Sequence, residues 1–352
     1  MRFARPRRPL RALAVLLVVA VISVTVRGLW ANGVFSSVTP GFYGQCKLVA
    51  RLPVQDIEVS HGMAFLSVAA PMPTSKAMDG IYALPLAGRA AKKLAGAPRD
   101  FHPRGIGLWQ SPDGKGLFLF AVNRSSKGRF SIDSFEVVDP ASDPRLVAQG
   151  TIEGGLLNDP QDVAAAGPDN FYVANGAAGK NPLLQLPRTY GIISGGDILY
   201  FNGMSFREAA GGLYGTRSLV LTADGSHLIA DGLLSRSLTS YTRESITGNL
   251  TEDKVMVVPT GPERLALDGQ GQLWLAGHAN LVSWRAMAKV SGAKASSQVL
   301  RVNLANGAPQ SSETVYANAG GEIAGAGAVA VAGRRVLIGS APDSKLLDCT
   351  GQ

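Results

Sequence analysis

Short apolar runs that alternate with tight-turn residues dominate the chain from residue 50 onward, and no long helical periodicity interrupts them. The same unit recurs six times: an apolar strand, a turn with Gly or Asn, and a second strand. Both residues accept the positive φ angles that hairpin turns require. The turn residues are Gly62, Gly114, Asn170, Gly225, Gly271 and Gly333, separated by 52, 56, 55, 46 and 62 positions.

Six hairpins at a spacing of about 50 residues predict an all-β fold, a six-bladed β-propeller with four strands per blade. A β-sandwich with irregular loops is the alternative, since Asp-Gly turns occur in every all-β class. The regular spacing over the whole body favours the propeller. The strand before each turn would then run along the central channel, and its first residues would meet at one mouth.

The polar residues at those upstream positions come from five of the six repeats. They are Gln55, Asp56, Arg104, Gln161, Asp162, Arg217, Glu263 and Arg264. Buried carboxylates require a metal or a cationic partner, and buried arginines require carboxylates or a bound anion. The pattern therefore places the candidate site in the channel.

An apolar segment without charge, residues 12–26, lies between Arg11 and Arg27. With the residues that follow it, it predicts a transmembrane signal anchor over residues 12–30, because a spanning helix needs about 20 residues. Whether the anchor is cleaved stays open. The positive-inside rule assigns the basic residues 1–11 to the cytoplasm. A linker over 31–45 would then lead to a propeller over 46–352 on the periplasmic or another extracytoplasmic side.

The charge of the chain is concentrated at this N-terminus. The first 30 residues carry six positive charges, at Arg2, Arg5, Arg7, Arg8, Arg11 and Arg27, and no acid occurs before Asp56. The rest carries 28 basic against 26 acidic residues, so no basic patch for nucleic acid is expected. The composition, 46% hydrophobic and 17% charged, is typical of a globular protein.

Two cysteines lie at the two ends of the globular part, Cys46 and Cys349. Their placement suggests one disulfide that closes a ring, and an extracytoplasmic compartment would preserve it. Two unpaired buried thiols are the alternative.

Several segments resemble the paraoxonase/arylesterase family, and in the right order over nearly all of residues 44–349. They are QDIEVSHGMAFLS at 55–67, FHPRGIG at 101–107, QDVAAAGPDNFYVANG at 161–176, LDGQGQLWLAGH at 267–278 and KLLDC at 345–349. The resemblance implies a six-bladed propeller with an N-terminal signal anchor. It also implies a disulfide between the first and last strands, at Cys46 and Cys349.

That family binds two calcium ions in the channel. The positions of the deeper, structural ion read Asp56, Asp162 and the backbone carbonyl of Ile106, so the resemblance implies one structural calcium here. Carboxylate and carbonyl oxygens suit calcium. Alternatively, the two aspartates cap strands or pair with Arg104.

The catalytic calcium of the family is expected to be absent. Its glutamate position reads Gln55, its asparagine positions read Gln161, Arg217 and Arg264, and its aspartate position reads Glu263. The two functional histidines of the family read Arg104 and Arg124. Arginine has only donors and stays protonated, so it repels a metal cation.

Fixed guanidinium charge is therefore expected to take the place of the upper metal ion, either by neutralising the carboxylates or by binding an anionic ligand or substrate. The candidates for such an anion or substrate site are Arg104, Arg124, Arg217, Arg264, Gln55 and Gln161. Hydrolysis would still need a general base, for which Glu263 and His102 are candidates.

Two functions stay open on these grounds. One is a paraoxonase/arylesterase-like hydrolase of esters or lactones, related to the gluconolactonase and strictosidine-synthase-like propellers, with an altered site. The other is a catalytically inactive propeller that serves as an anion-binding module or as a subunit of a membrane complex. The fold does not decide between them. No serine-hydrolase elbow, zinc-protease motif or phosphate loop occurs in the sequence.

Overall fold

The computed structural model describes residues 8–42, 44–70, 78–88, 90–176 and 181–351. It is a six-bladed β-propeller, as the hairpin spacing predicts, and one long helix precedes it. Most of the predicted cytoplasmic N-terminus, residues 1–7 with Arg2, Arg5 and Arg7, lies outside the described residues.

The elements follow one another along the chain as a helix, strands with two short helices among them, and a final strand. They are α1 (Arg8–Ala31), β1 (Gly41–Phe42), β2 (Gly44–Ala50), β3 (Val54–Ser60), β4 (Met63–Val68), β5 (Gly80–Pro85), β6 (Lys92–Lys93), β7 (Pro103–Gln110), β8 (Leu117–Arg124), β9 (Phe130–Val138), β10 (Arg145–Ile152), β11 (Pro160–Ala165), β12 (Asn170–Asn175), α2 (Pro182–Thr189), β13 (Gly196–Asn202), β14 (Phe206–Leu213), β15 (Leu219–Leu221), β16 (His227–Gly232), β17 (Ser237–Arg243), β18 (Leu250–Val257), β19 (Gly261–Leu267), β20 (Leu273–His278), α3 (Leu281–Met287), β21 (Ser297–Ala305), β22 (Ala308–Asn318), β23 (Ala328–Ala332), β24 (Arg335–Ser340) and β25 (Lys345–Gly351).

Each predicted hairpin forms the two innermost strands of one blade. The inner strands are β3, β7, β11, β15, β19 and β23, and each pairs antiparallel with the next strand along the chain. The second strands are buried at nearly every position, because both of their faces pack against neighbouring blades. The rings of Phe120 and Phe171, from adjacent blades, lie 5.4 Å apart between their centroids. Burial between blades thus accounts for the apolar runs in the sequence.

The last blade is completed by an N-terminal strand. β2 pairs with β25, and Cys46 lies opposite Cys349 in that ladder. The two cysteines form a disulfide across 303 residues, as their placement predicts. β1 pairs with β22 as well. Strand pairing therefore begins at Gly41, inside the stretch predicted as a linker.

The N-terminal helix contains a segment long and apolar enough to cross a membrane, Ala12–Ala31, with a mean hydropathy of 2.4. Its C-terminal end contacts the propeller. Asn32 is buried, its carbonyl accepts a hydrogen bond from the Leu281 backbone N–H at 2.9 Å, and its side chain donates to the Tyr190 carbonyl at 3.3 Å. The helix thus ends against the loops that carry α2 and α3.

Candidate functional site in the propeller channel

The Arg264 side chain is buried in the channel and connects four blades. It leaves β19, and its Nη2 donates a hydrogen bond to the Gln161 carbonyl at 3.1 Å, while Nη1 donates to the Arg217 carbonyl. Its Nε lies 3.6 Å from Oδ1 of Asp56 on the first blade. Only 4% of the residue is exposed. Burial opposes the guanidinium charge, but the surrounding carboxylates raise the pKa of Arg264 above its usual value.

Two buried aspartates lie beside this guanidinium. Asp56 accepts hydrogen bonds from the backbone N–H groups of Ile57 at 2.9 Å and Ile106 at 2.8 Å. Asp162 accepts from the Ser218 hydroxyl at 2.5 Å and from a backbone N–H in its own strand. Burial, reinforced by the charge of Asp56, raises the pKa of Asp162 to about 7 although Arg264 opposes the shift. Burial likewise raises the pKa of Asp56, again against the attraction of Arg264.

The donor set at these aspartates does not fit a calcium ion while Arg264 occupies its observed place. The two carboxylates already accept N–H and O–H donors, and the guanidinium supplies their counter-charge. Ile106, whose carbonyl was expected as a ligand, contacts Asp56 through its N–H group. Among the described residues, no group of three His, Cys, Asp or Glu side chains is arranged to hold a metal ion. A second cation would meet the charge of Arg264 at short range.

Glu263 lies next to Arg264 in sequence, but its carboxylate contacts a histidine. Its Oε2 makes a very short hydrogen bond with Nε2 of His278, and 19% of its side chain is exposed. Burial acts to raise the pKa of Glu263, but His278, Arg217 and Arg264 outweigh it and lower the pKa. The ion pairs of the described residues include none between the Glu263 carboxylate and an arginine. The carboxylate is therefore ionised at neutral pH and held mainly by a histidine.

His278 contacts Glu263, and the sequence analysis assigns it no role. It is fully buried, and its ring stacks on Trp284 with centroids 4.8 Å apart. β19 and β20 form a hairpin in which Gly261 lies opposite His278, with a bulge between Pro262 and Arg264. An unbulged count across the Gly271 turn pairs His278 with Pro262, so the bulge is what brings His278 to Glu263.

Two cavities open at this end of the channel and share a wall made by Trp284 and Arg285. The first, of about 280 Å³, has mainly apolar walls that include Val54 and Pro342, with Glu263 among its lining residues. The second, of about 240 Å³, is more polar and is lined by several residues of the third, fourth and fifth blades and the helices beside them. They include Asp159, Gln185, Thr189, Thr216 and Arg217.

Three of the predicted binding residues reach these cavities directly or through one contact. Gln55 lines the apolar cavity, and its amide donates to the Ala69 carbonyl at 2.9 Å. Gln161 is buried and its Oε1 accepts a hydrogen bond from Nη1 of Arg217 at 2.6 Å. The guanidinium of Arg217 also lies 5.5 Å from the ring centroid of Trp284.

The guanidinium groups of Arg104 and Arg124 each lie 5.8 Å from the centroid of the Phe130 ring. Arg104 is paired with Asp159, whose Oδ1 lies 3.2 Å from Nη1. Burial lowers the pKa of Arg104 to about 10, and neighbouring arginines add to the shift. Arg124 is exposed at the end of β8. Neither residue is in the wall of the two cavities.

His102 was the second candidate for a general base. Both of its ring nitrogens contact carboxylates, Nδ1 with Asp79 at 2.6 Å and Nε2 with Asp100 at 3.1 Å. Its backbone N–H donates to the side chain of Asn123 at 2.9 Å. It lines neither cavity, so its contacts are those of a residue that ties two loops together.

Comparison with known proteins relates this geometry to one family. A family model described as Arylesterase matches residues 91–349. The chain is similar to serum paraoxonase/arylesterase 2 of Homo sapiens, with 27% identity over 68% of this chain and 66% of that protein. It is also similar to serum paraoxonase/arylesterase 1 of Rattus norvegicus, with 26% identity over 87% of this chain and 89% of that protein.

Solved structures support the fold alone, because their sequence identities are low. A luciferin-regenerating enzyme is 12% identical and superimposes with a TM-score of 0.56. The match covers 88% of this chain and 95% of the chain of that enzyme. The calcium-binding protein regucalcin from Agrobacterium tumefaciens is 13% identical, covers 89% and 97%, and has a TM-score of 0.52.

Proposed function

The chain belongs to the arylesterase family, and we propose on that basis that it hydrolyses esters or lactones at the Glu263 carboxylate in the channel mouth. The observation that carries the proposal is the Glu263–His278 pair, with Glu263 in the wall of a cavity of about 280 Å³. An ionised carboxylate held beside an apolar cavity is suited to take a proton from water next to a bound ester.

The reaction needs no covalent intermediate in this arrangement. Water attacks the carbonyl carbon, and Glu263 accepts the proton that the water loses. The bond to the leaving alcohol or phenol then breaks, and the leaving oxygen takes the proton back from Glu263. The His278 ring is buried, so its role is to orient Glu263 and to keep it ionised.

The proposed role of calcium in this chain differs from its role in the rest of the family. We infer that the Arg264 guanidinium supplies the positive charge that a structural calcium would bring to Asp56 and Asp162. The calcium-binding neighbour regucalcin and the family itself make calcium the ion to test. We expect calcium and a chelator to leave the activity and the unfolding midpoint unchanged.

Replacement of Glu263 tests the hydrolase directly. Glu263→Gln keeps the size of the side chain and a hydrogen-bond acceptor for His278, but it removes the base. We expect kcat for phenyl acetate or a γ-lactone to fall by about 10²–10⁴-fold. Steady-state kinetics on the full chain in a neutral detergent measure it, and Arg145→Gln, which alters an exposed ion pair on an outer strand, is the control.

Wild-type protein without turnover on any aryl ester or lactone, with or without calcium, contradicts the hydrolase. Full activity in Glu263→Gln would remove Glu263 as the base.

A second candidate function is a non-catalytic anion-binding propeller. The observation that favours it is the pair Arg217 and Arg285, which face the polar cavity with neutral hydrogen-bond partners. It predicts ligand binding without turnover. A role as a subunit of a membrane complex would use other surfaces and is tested by isolating the protein from its native membrane in mild detergent.

We further propose that α1 anchors the propeller on the extracytoplasmic side of a membrane. The apolar helix, the arginines before it and the disulfide support this arrangement. Protease added to intact cells or spheroplasts should digest the propeller, and protection from it would place the domain on the other side.

A further inference from the structure

Two arginines at the channel mouth, Arg217 and Arg285, line the polar cavity and hydrogen-bond to neutral groups. Nη1 of Arg217 donates to the amide oxygen of Gln161 at 2.6 Å. Nη1 of Arg285 donates to the amide oxygen of Asn32, and Nη2 donates to the Thr189 carbonyl at 2.9 Å. These contacts fix both side chains in place without neutralising their charge.

Two other arginines near the channel show the opposite arrangement. Arg104 is paired with Asp159 at 3.2 Å, and Arg264 lies 3.6 Å from Asp56. The ion pairs of the described residues include no carboxylate partner for Arg217 or Arg285. Burial, and after it the charge of Arg217, lowers the pKa of Arg285. Two half-buried guanidinium groups that repel each other across one cavity favour a bound anion.

We propose that the polar cavity is a subsite for a carboxylate on the substrate, so that the preferred substrates are esters or lactones that carry a carboxylate group. This inference rests on the proposed hydrolase and adds the substrate class to it. A planar carboxylate matches the fork of donors on a guanidinium. Asp159 is in the same cavity wall, and its negative charge disfavours a phosphate dianion relative to a carboxylate monoanion.

In this proposal the polar cavity binds the substrate carboxylate, and the apolar cavity holds the ester that is hydrolysed. Trp284 and Arg285 form their common wall, so a substrate that reaches over this wall presents its carboxylate to Arg217 and Arg285. Its ester group and apolar part then lie in the other cavity, beside Glu263. Asn32, which follows α1 and precedes the propeller strands, accepts a hydrogen bond from Arg285.

Binding of small carboxylates tests the subsite without relying on turnover. Benzoate and benzamide have nearly the same shape and differ in charge, and calorimetry on the full chain in neutral detergent measures both. We expect benzoate to bind at least about tenfold more tightly than benzamide, because charge-assisted hydrogen bonds add to its affinity. Arg217→Gln and Arg285→Gln should each abolish most of this preference, and Arg145→Gln should keep it.

Equal binding of benzoate and benzamide to the wild-type protein overturns the proposal, whether or not the variants fold. Tighter binding of phenyl phosphate than of benzoate overturns the assignment to a carboxylate.

Kinetics separate this inference from the proposed function. The esters 4-carboxyphenyl acetate and 4-carbamoylphenyl acetate have leaving groups that differ mainly in charge. We expect kcat/KM to favour the carboxylate by at least about tenfold and the ratio to approach one in Arg285→Gln. Equal hydrolysis of the two esters rejects the subsite and leaves the hydrolase standing. Hydrolysis of neither ester, with benzoate still preferred over benzamide, rejects the hydrolase and supports the subsite.

Discussion

The propeller ring is held closed in two regions that use different physical means. At the seam, β2 pairs with β25 and the Cys46–Cys349 disulfide joins the first and last strands covalently. In the channel, Arg264 reaches three other blades through Asp56 and the carbonyls of Gln161 and Arg217. A disulfide acts mainly on the unfolded chain, whereas a buried ion cluster acts on the folded state and depends on pH.

The difference shows how one fold tolerates a changed centre. The disulfide at the seam stabilises the fold mainly by restricting the unfolded chain. Its contribution therefore does not depend on which residues line the channel. The channel must balance several buried charges, and a guanidinium from the chain itself does so here. The two regions can therefore be altered independently, and their separate effects on stability test the comparison.

The largest effect is expected from Arg264→Met. Removing this guanidinium leaves two buried aspartates without their counter-charge, and breaking such a cluster costs about 3–5 kcal/mol. Urea unfolding of the full chain in detergent measures the loss. Arg264→Lys keeps a charge but not the fork of donors, so its loss should be smaller.

The surface variant Arg145→Met serves as the matched control, because its ion pair with Asp139 is exposed and contributes at most about 1 kcal/mol. If Arg264→Met unfolded within 1 kcal/mol of the wild type, the channel would not hold the ring closed. Rescue of the variant by added calcium would instead show that the aspartates accept the ion once the arginine is gone.

A somewhat smaller effect is expected at the seam. The double variant Cys46→Ser/Cys349→Ser opens a loop of 303 residues, and loss of a disulfide costs about 2–4 kcal/mol, by a mechanism that depends on the model of the unfolded state. The loss should be the same at pH 6 and pH 8, since no charge changes. A loss that varies strongly with pH would show that the seam and the channel are coupled.

These two regions also differ in how far the sequence predicts them. Alternating apolar strands and six hairpin turns determine the blades, and the two cysteines at the ends of the body determine the seam. The positions upstream of each turn correctly bring Asp56, Asp162 and Arg264 to the channel, because inner strands must line it. Which carboxylate pairs with which arginine depends on side-chain reach, and spacing alone does not contain that information.

The channel mouth is less predictable still. Trp284 and Arg285 come from α3, in a connection between strands that follows no repeat. The connection is placed by tertiary contacts: Trp284 stacks on His278, and the Leu281 N–H donates to the carbonyl of Asn32. The contacts of α3 with Asn32 join residues about 250 positions apart in the chain. His278 itself was accessible from the strand register, but only after the bulge in β19 was known.

The pH dependence of stability separates the two regions most sharply. Burial raises the pKa of Asp162 to about 7 and raises that of Asp231 well above its usual value. The folded protein therefore keeps protons that the unfolded chain, with ordinary carboxyl pKa values near 4, releases. Stability should therefore fall as the pH rises from about 4 to about 7.

Glu263 acts in the opposite sense, because its pKa is lowered, so its contribution is lost only as the pH falls below the ordinary carboxyl range. Urea unfolding between pH 5 and pH 8 measures the slope, and Asp231→Asn is the matched variant. Asp231 accepts the backbone N–H groups of Arg217 at 2.6 Å and Ser218 at 2.8 Å through one oxygen, which an asparagine retains. The variant should lose part of the pH dependence while the disulfide variant keeps all of it. A flat profile in the wild type would mean that Arg264 holds every channel carboxylate ionised throughout, so that the channel, like the seam, closes the ring without regard to pH.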